Sequence, residues 1–450
     1  MMQAEEYEVR PLRSQQSFDV EVPGSKSITN RALLLAAMGD GACTLQGVLF
    51  SEDSRAFLGC LQQLGFSLKI DEEEKRVTIQ GTGGRVPNQT ATIHVGSAGT
   101  AARFLTVFLA FAGGDYHLQA SEQMCKRPME PLITALRRAG AMIHCTGEEN
   151  HFPFELHSRG MDPKEITINT DVSSQFASAL MMAGCLLPSG LEIKLEGQRT
   201  NGSYIKITQR MLEQFGVPYT REDDLCRIPG GCHHHIDSYE IEPDVSAAAY
   251  FYAMAPIGGK SVRVKGVHLD SMQGDIRFLK VLEQLGCTLV DEDYGIRLEG
   301  TQSGHYPGIT INMKDFSDQT MTMAAVAAFA DTPTLIEGIG HIRFQESNRL
   351  QAIITELQRV GIQAEELQKG EALKICPGTV HGALIETYED HRMAMAFSLL
   401  GLRCPGVRIH NPGCCAKTFE HYFDVLDTLT AEKAGYKVHI LLCTADELEG

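Results

Sequence analysis

The sequence predicts an α/β protein built from repeated units that combine helices with strands. Three observations lead to this fold class. Helices ending on glycine recur at a nearly constant spacing, strand-like hairpins follow them, and a second series of helices is apolar on nearly every face. The chain has 450 residues, more than one ordinary hydrophobic core holds, so we expect two or three domains.

The glycine-terminated helices define the repeat. Similar apolar stripes end at Gly65, Gly140, Gly216, Gly286 and Gly361, which are 75, 76, 70 and 75 residues apart. Glycine readily adopts the left-handed conformation that commonly ends a helix. The same stripe returns without a glycine in FDVLDTL, near the expected position 431, so the spacing predicts six units.

Strand-like stretches follow several of these helices. Polar or glycine-containing turns interrupt SLKIDEEEKRVTIQG, AMIHCTGEENHFPFEL and TLVDEDYGIRLEG, which is typical of β-hairpins. The period exceeds that of familiar solenoid repeats, so we expect each unit to hold two helices and several strands.

The second helix of each unit is a run of small and apolar residues. The six runs are RALLLAAMG, AARFLTVFLAFAG, SQFASALMMAG, VSAAAYFYAMA, QTMTMAAVAAFA and HRMAMAFSLLGL. Helices that are apolar nearly all round belong in a protein core, so packing accounts for their apolar residues.

Each of these core helices opens on a polar cluster. The clusters are PGSKSITNR, GSAGTAAR, DVSSQ, PDVS, DFSDQT and YEDHR. Ser, Thr, Asp and Gly are ordinary N-caps, but a helix N-terminus also attracts phosphates and carboxylates through its unpaired N–H groups. Lys26, Arg31, Arg103 and Arg392 stand beside these caps, where a cation opposes the helix dipole. Their repeated unfavourable placement predicts an anionic ligand, although GSAGT lacks the spacing of a nucleotide P-loop.

The composition excludes several classes of function. With 40 basic and 57 acidic residues the net charge is −17, which disfavours general binding to nucleic acid or anionic membranes. The apolar stretches fall far short of the roughly 18 residues that span a membrane, and the first ten residues lack the apolar core of a signal peptide. The 13 cysteines, an odd number without a CxxC pair, indicate a reduced compartment.

The segment Cys232-His233-His234-His235 superficially resembles a metal site. Consecutive residues in a glycine-rich loop cannot all turn toward one ion, so a solvated turn is favoured and we expect no metal.

Eight motifs carry a resemblance to a known family. PGSKSITNRALLLAA, GSAGTAARFL, KRPMEPL, DVSSQ, DFSDQTMT, QESNRL, YEDHRMAMAF and AKTF resemble the signatures of 5-enolpyruvylshikimate-3-phosphate synthases and occur in that family's order, from about Val22 to Phe423. The resemblance implies two similar domains, each of three βαβαββ units in an inside-out α/β barrel, with the active site in the interdomain cleft. The chain would cross twice, near Val22–Gly24 and Glu240–Asp244. The expected domains are 1–23 with 242–430 and an inserted domain 24–241, followed by a C-terminal extension 431–450.

The implied activity is transfer of the enolpyruvyl group of phosphoenolpyruvate to the 5-hydroxyl of shikimate 3-phosphate, with release of phosphate. This step lies on the shikimate pathway to chorismate and the aromatic amino acids. The resemblance implies a cytoplasmic enzyme, and we expect a monomer without cofactor, metal, nucleic acid or membrane partner.

The family's site residues carry over by motif. Those expected to hold shikimate 3-phosphate are Lys26, Ser27, Arg31, Ser173, Ser174, Gln175, Tyr204, Asp318 and Gln345. Those expected to surround phosphoenolpyruvate are Lys26, Gly99, Arg103, Arg127, Gln175, Arg349, Arg392 and Lys417. Two phosphates and two carboxylates bring roughly six negative charges, which bidentate arginine contacts suit well.

Asp318, Glu346 and Lys26 are the candidates for acid–base catalysis. A carboxylate near the 5-hydroxyl can accept its proton, as Asp318 would, and Lys26 could donate a proton or neutralise charge. A purely structural role would be a helix cap for Asp318 and an ion pair with Arg349 for Glu346.

Four positions depart from the family pattern. Gln345 stands where many members have a lysine, His341 where an asparagine is common, and Ser97 and Phe104 where many have Asn and Pro. The first two bear on the acceptor substrate, and the last two on the shape of the phosphoenolpyruvate pocket.

Three different functions compete with this interpretation. The sister enzyme that acts on a UDP-amino sugar has a Lys-Asn pair and a loop cysteine five residues before the arginine, whereas here the pair is Lys26-Ser27 and the loop residue is Glu122. Cys125 lies too close to Arg127 to match. The second competing function is that of an RNA-end-processing protein of related repeats, and the third is that of a non-catalytic binding protein.

Overall fold

Five amphipathic helices end on glycines in the left-handed region, as their spacing predicts. The φ angles of Gly65, Gly140, Gly216, Gly286 and Gly361 lie between 76° and 111°. The N–H of Gly216, for example, bonds back to the preceding turn at φ 76°, where a β-carbon would be strained.

The computed structural model describes residues 5–12, 17–258 and 261–431. Its α-helices in chain order are α1 Lys26–Met38, α2 Glu52–Gln63, α3 Gly99–Ala112, α4 Glu122–Cys125, α5 Glu130–Arg138, α6 Ser174–Ala183, α7 Ser203–Phe215, α8 Val245–Ile257, α9 Arg277–Gln284, α10 Thr320–Ala327, α11 Arg349–Arg359, α12 His391–Gly401 and α13 Tyr422–Thr430. Its 3₁₀ helices are Gly184–Leu186, Gly274–Ile276, Ser317–Gln319, Gly340–Phe344, Gln368–Gly370 and Pro412–Lys417.

The first fourteen strands are β1 Glu6–Glu8, β2 Ser17–Val20, β3 Asp40–Gln46, β4 Leu68–Asp71, β5 Arg76–Thr82, β6 Thr90–His94, β7 Gly114–Gln119, β8 Met142–Cys145, β9 Phe154–Ser158, β10 Glu165–Asn169, β11 Leu191–Glu196, β12 Thr220–Glu222, β13 Leu225–Ile228 and β14 Ser238–Glu240. The later strands are β15 Ser261–Val264, β16 Thr288–Glu292, β17 Gly295–Glu299, β18 Thr310–Asn312, β19 Thr334–Glu337, β20 Gln363–Leu367, β21 Ala372–Cys376, β22 Leu384–Ile385 and β23 Arg408–His410.

One sheet pattern recurs along the chain. In the order β6-β7-β9-β8 the first pair is parallel and the other two pairs are antiparallel, and the orders β10-β11-β13-β12 and β18-β19-β21-β20 repeat this arrangement. In each case a core helix connects the parallel pair, and an amphipathic helix leads into the hairpin. These are the repeated units that the glycine spacing predicts.

Three sheets are completed by strands distant in sequence. Strand β14 pairs in parallel with β3, β2 pairs in parallel with β15, and β1 pairs antiparallel with β23. These three sheets are therefore completed by strands that the local sequence pattern does not assign to the repeats.

The chain divides into two compact units. We call Gly24–Ile241 the inserted unit, and the described residues up to Pro23 together with those from Glu242 onward the flanking unit. Helices α3 in the inserted unit and α8, α10 and α12 in the flanking unit are buried along nearly their whole length, as their composition predicts. The expected C-terminal extension, from residue 432 onward, lies outside the described residues.

The histidine segment differs from the predicted solvated turn at its middle residue. His234 is buried, its Nε2 lies 2.8 Å from the Leu35 carbonyl, and burial lowers its pKa. His233 and His235 remain on the surface beside Asp40 and Asp237. In the described ranges no group of His, Cys, Asp and Glu is arranged to hold a metal ion, and no helix is long and apolar enough to cross a membrane.

Candidate active site

In the inserted unit, a glycine at the start of α3 lies directly against two guanidinium groups. A β-carbon built on Gly99 would fall 2.6 Å from Nη1 of Arg103 and 2.6 Å from Nη1 of Arg127. Both distances are shorter than any real carbon–nitrogen contact of this kind, so a glycine is required for the two arginines to approach the helix N-terminus. Two cations and the positive end of a helix dipole thus converge on one point.

Hydrogen bonds to neutral groups fix the orientation of Arg103. Its Nη1 donates to Oε1 of Gln175 at 2.8 Å and its Nη2 to the carbonyl of Pro128 at 3.3 Å, while Phe176 covers its face at 5.5 Å. The Nε of Arg127 is buried and has no hydrogen-bond partner in the described part of the chain. Buried polar groups are nearly always satisfied, so this donor indicates a site for an anion.

Arg31, on α1, is fully buried among neutral oxygens. Its Nε donates to the Thr208 hydroxyl at 2.8 Å, and its Nη atoms donate to the Ser178 hydroxyl and to the carbonyls of Ser27 and Tyr204. Burial lowers the pKa of Arg31 to about 10, which still leaves it charged at neutral pH. The structure therefore brings together three residues predicted for shikimate 3-phosphate: Ser27, Arg31 and Tyr204.

The remaining predicted residues of the inserted unit lie at helix starts. Lys26 is the first residue of α1, and its Nζ is 3.3 Å from a carboxylate oxygen of the buried Asp53. Ser173 caps α6 by accepting a hydrogen bond from the N–H of Gln175, and Ser174 begins that helix. These residues lie at helix N-termini, where the polar clusters of the sequence predict that anions bind.

In the flanking unit, Arg349 binds three carboxylates at once. Its Nη1 is 3.0 Å from Asp318, its Nη2 is 2.7 Å from Glu346 and its Nε is 2.8 Å from Asp390. The guanidinium is 1% exposed, so burial opposes its charge, but the three carboxylates outweigh that cost and raise its pKa. We call Asp318, Glu346, Arg349, Asp390 and Arg392 the Arg349 cluster.

A second arginine holds the other oxygen of Asp318. Nη2 of Arg392 is 3.1 Å from Oδ2 of Asp318, and its Nη1 donates to the Tyr250 hydroxyl at 3.4 Å. Asp318 is not at the N-cap position of the short helix or of α10, which are Phe316 and Gln319, and Arg349 and Arg392 bind its two oxygens. Asp318 is therefore paired with two cations, Arg349 and Arg392.

Two further predicted residues belong to the flanking unit. Gln345 ends the short helix Gly340–Phe344 and directly precedes Glu346. Lys417 is buried at the end of the helix Pro412–Lys417. The atypical His341 lies beside the segment that carries Asp318, with its Nε2 2.7 Å from the hydroxyl of Ser317.

Several residues that contact the predicted site residues cannot be recognised from the sequence alone. Thr208 and Ser178 contact Arg31 from 177 and 147 residues away, so no local pattern reveals them. Asp53 and Asp390 carry a weak signal, because each is an acidic residue just before or within the first turn of a helix. That position is also the one an ordinary cap occupies, so the signal does not distinguish them.

The expected ion pair of Glu346 with Arg349 is present, but it does not separate the two candidate carboxylates. Asp318 makes an equivalent pair with the same guanidinium, so each carboxylate has a structural partner.

Cys125 does not have the surroundings of a reactive thiol. Its Sγ lies 3.9 Å from the Ala120 carbonyl, and burial together with the charge of Glu122 raises its pKa. A nucleophilic cysteine needs a lowered pKa, so a UDP-amino-sugar transferase gains no support from this residue.

Comparison with known proteins identifies the family. A family model described as EPSP synthase (3-phosphoshikimate 1-carboxyvinyltransferase) matches residues 12–426. A 3-phosphoshikimate 1-carboxyvinyltransferase from Trichormus variabilis is 42% identical over 406 residues, covering 90% of this chain and 94% of that protein. A relative of the same name from Neisseria meningitidis is 39% identical over 416 residues, covering 91% and 95%.

A solved structure extends the comparison to the fold. EPSP synthase from Acinetobacter baumannii aligns with a TM-score of 0.79 at 25% identity, covering 95% of this chain and 98% of that one. The predicted α/β fold class and the family resemblance are both confirmed. With a matching family model over most of its length and relatives at about 40% identity, this chain belongs to the EPSP synthase family of transferases.

Proposed function

We propose that this enzyme transfers the enolpyruvyl group of phosphoenolpyruvate to the 5-hydroxyl of shikimate 3-phosphate and releases phosphate. The observation that carries the chemistry is the Arg349 cluster, in which two buried arginines hold Asp318 and one of them also holds Glu346. It combines proton acceptors with cations that attract anionic substrates.

The inserted unit supplies the main anion-binding groups. Arg31 and Lys26, with Ser173, Ser174, Gln175 and Tyr204, bind shikimate 3-phosphate. Gly99 leaves room for Arg103 and Arg127 to bind phosphoenolpyruvate, which supplies the partner that Nε of Arg127 lacks among the described residues. Arginine suits both ligands because its fork of N–H groups matches phosphate and carboxylate geometry.

In the flanking unit, substrate binding exchanges ion pairs. An anionic substrate at Arg349 competes with Asp318 and Glu346 for the same N–H groups, and one at Arg392 competes with Asp318. Lys417 adds a further cation from the same unit. As the substrate takes over these contacts, Asp318 becomes available to the acceptor hydroxyl, assisted by Gln345. The cations thus serve as carboxylate partners before binding and as substrate partners afterwards.

The proton transfers follow from this exchange. The oxygen of the 5-hydroxyl attacks C2 of phosphoenolpyruvate while Asp318 accepts the hydroxyl proton and C3 takes up a proton. Glu346 is the candidate for transferring the proton to and from C3, and Lys26 donates a proton or neutralises charge. From the tetrahedral intermediate C3 gives its proton back, phosphate leaves with a proton, and the vinyl group is restored on the acceptor oxygen.

We further propose that the enzyme acts as a cytoplasmic monomer. The odd number of cysteines without CxxC spacing supports a reducing compartment. Analytical ultracentrifugation of the purified chain at micromolar concentration tests the oligomeric state, and a dimer would contradict it.

Asp318→Asn tests the central assignment. In a coupled phosphate-release assay with both substrates, we expect turnover to fall by a factor on the order of 10²–10⁴, the usual share of a positioned base. Calorimetry should still detect binding of both substrates. Asp315→Asn is the matched control, because Asp315 lies in the same DFSDQT motif but pairs with Arg277 at the surface. Near-normal turnover of Asp318→Asn would contradict the proposal.

A further inference from the structure

A buried amide group adjoins the proposed base. Gln319 follows Asp318 in the short helix Ser317–Gln319, and its side chain is 0% exposed. Its Nε2 donates to Oδ2 of Asp275 at 2.7 Å, and its Oε1 accepts from the Thr322 hydroxyl at 2.9 Å. The backbone that carries Asp318 is therefore held from the interior through Gln319.

Asp275 connects this helix to a third segment. It lies in the helix Gly274–Ile276, is 6% exposed, and also accepts a hydrogen bond from the hydroxyl of Ser246 at the start of α8. One buried carboxylate thus joins the segments 274–276, 245–257 and 317–319. The eight family motifs do not include Asp275, and the proposed proton transfers do not use it.

The charges around Asp275 couple it to Asp318. Burial, and after it the negative charge of Asp318, raises the pKa of Asp275 to about 6, while Arg392 and the hydrogen bonds from Ser246 and Gln319 oppose this rise. The other charged or titratable side chains are Tyr250 and Tyr252 on α8 and Arg277, Lys280 and Glu283 on α9, and Arg349 binds Asp318.

We propose that Asp275 is a positioning residue for Asp318, which it orients through Gln319 and makes a better proton acceptor through its own negative charge. This inference rests on the proposed role of Asp318. Two carboxylates near one another resist simultaneous ionisation, so each increases the other's affinity for a proton. The pair then titrates in two steps that belong to both groups together.

Asp275→Asn removes the negative charge of the Asp275 side chain and keeps its shape. The amide oxygen of asparagine can still accept a hydrogen bond from Gln319, whereas the negative charge is lost. In the full-length enzyme we expect the acid limb of the kcat–pH profile to move to lower pH by about one unit, because Asp318 no longer faces a second carboxylate. At the plateau we expect kcat to fall about three- to tenfold, since a weaker base transfers protons less efficiently. KM for both substrates should stay within about twofold of the parent, because Asp275 acts on proton transfer and not on binding.

Two variants serve as controls for a merely structural effect. Gln319→Met removes the hydrogen bond to Asp275 but keeps the charge, so kcat should fall while the acid limb moves much less than in Asp275→Asn. Glu356→Gln removes another fully buried carboxylate of the same unit, which binds Arg359 and the Tyr388 hydroxyl, and should leave the profile in place.

The outcomes distinguish this inference from the proposed function. If Asp318→Asn loses turnover while the profile of Asp275→Asn superimposes on the parent or moves to higher pH, the positioning role is wrong and the function stands. The same shift in Glu356→Gln would also overturn the inference. If Asp318→Asn keeps its turnover, both the proposed role of Asp318 and the inference about Asp275 are wrong. Should Asp275→Asn fail to fold, unchanged kcat in Gln319→Met would be enough to reject the role.

Discussion

Two buried arginines, one in each unit, are held in opposite ways. The hydrogen bonds of Arg31 in the inserted unit go to two hydroxyls and two carbonyls, all neutral. Those of Arg349 in the flanking unit go to three carboxylates. Burial lowers the pKa of Arg31, whereas the carboxylates raise that of Arg349 despite a similar burial.

The contrast indicates two uses of the same residue type. Neutral oxygens orient the Arg31 guanidinium without cancelling its charge, so the positive charge remains for an anionic ligand. At Arg349 the protein's own carboxylates balance the charge, and the arginine in turn fixes those carboxylates. Neutral oxygens surround Arg31, whereas Arg349 holds three carboxylates in place.

Arg349→Met should give the largest effect, on stability. The substitution leaves the buried Asp390 and the partly buried Asp318 and Glu346 without their shared cation, and breaking a buried pair costs about 3–5 kcal/mol. Denaturant unfolding at neutral pH measures the loss. Arg277→Met, which breaks a half-exposed pair with Asp315, is the control and should cost at most about 1 kcal/mol.

Arg31→Met should chiefly affect ligand binding. Methionine keeps the apolar stem, and the neutral partners of Arg31 lose one donor but no compensating charge, so unfolding should change far less than in Arg349→Met. Shikimate 3-phosphate should bind more weakly by roughly 1.5–3 kcal/mol, the value of a hydrogen bond to a charged group. Calorimetry measures this affinity. Equal destabilisation of the two arginine variants would remove the energetic basis of the comparison.

Gly99→Ala should have the smallest effect and should be confined to phosphoenolpyruvate. The added methyl would lie 2.6 Å from both guanidinium groups, so Arg103 and Arg127 must shift. We expect KM for phosphoenolpyruvate to rise about tenfold, equivalent to ~1.4 kcal/mol, with little change for shikimate 3-phosphate. Gly59→Ala is the control, since a β-carbon there meets nothing within 4 Å inside α2. A rise in both KM values would show that Gly99 supports the whole unit instead of the two arginines.

Much of the fold follows from local sequence pattern. Glycine spacing, hairpin composition and the small-residue runs predict the repeated units, because each reflects a backbone preference or burial within a few residues. The three-residue strands β1 and β14 have no such signal, since partners hundreds of residues away determine their pairing. The burial of His234 escapes prediction for a similar reason, because it depends on the end of α1 and not on the neighbours of His234 in sequence.

The site was predictable to the extent that its groups lie in contiguous motifs. The motifs predict the arginines, Lys26, Asp318 and Glu346, but not the groups that contact these motifs from elsewhere in the chain. Thr208, Ser178 and Asp275 lie outside these motifs and reach them only through folding. The opposite environments of Arg31 and Arg349 therefore become visible only in three dimensions.

The pairing of β2 with β15 has a consequence for synthesis on the ribosome. Ser17 and Ser261 on these strands are hydrogen-bonded although 244 residues separate them, and the whole inserted unit lies between. At roughly 5–20 residues per second, β2 emerges tens of seconds before its partner exists. The inserted unit contains every strand of its own sheets, β14 included, and can complete them first. During that interval the β2 segment has no partner strand on the nascent chain, so its backbone N–H and C=O groups stay open to pairing with other chains.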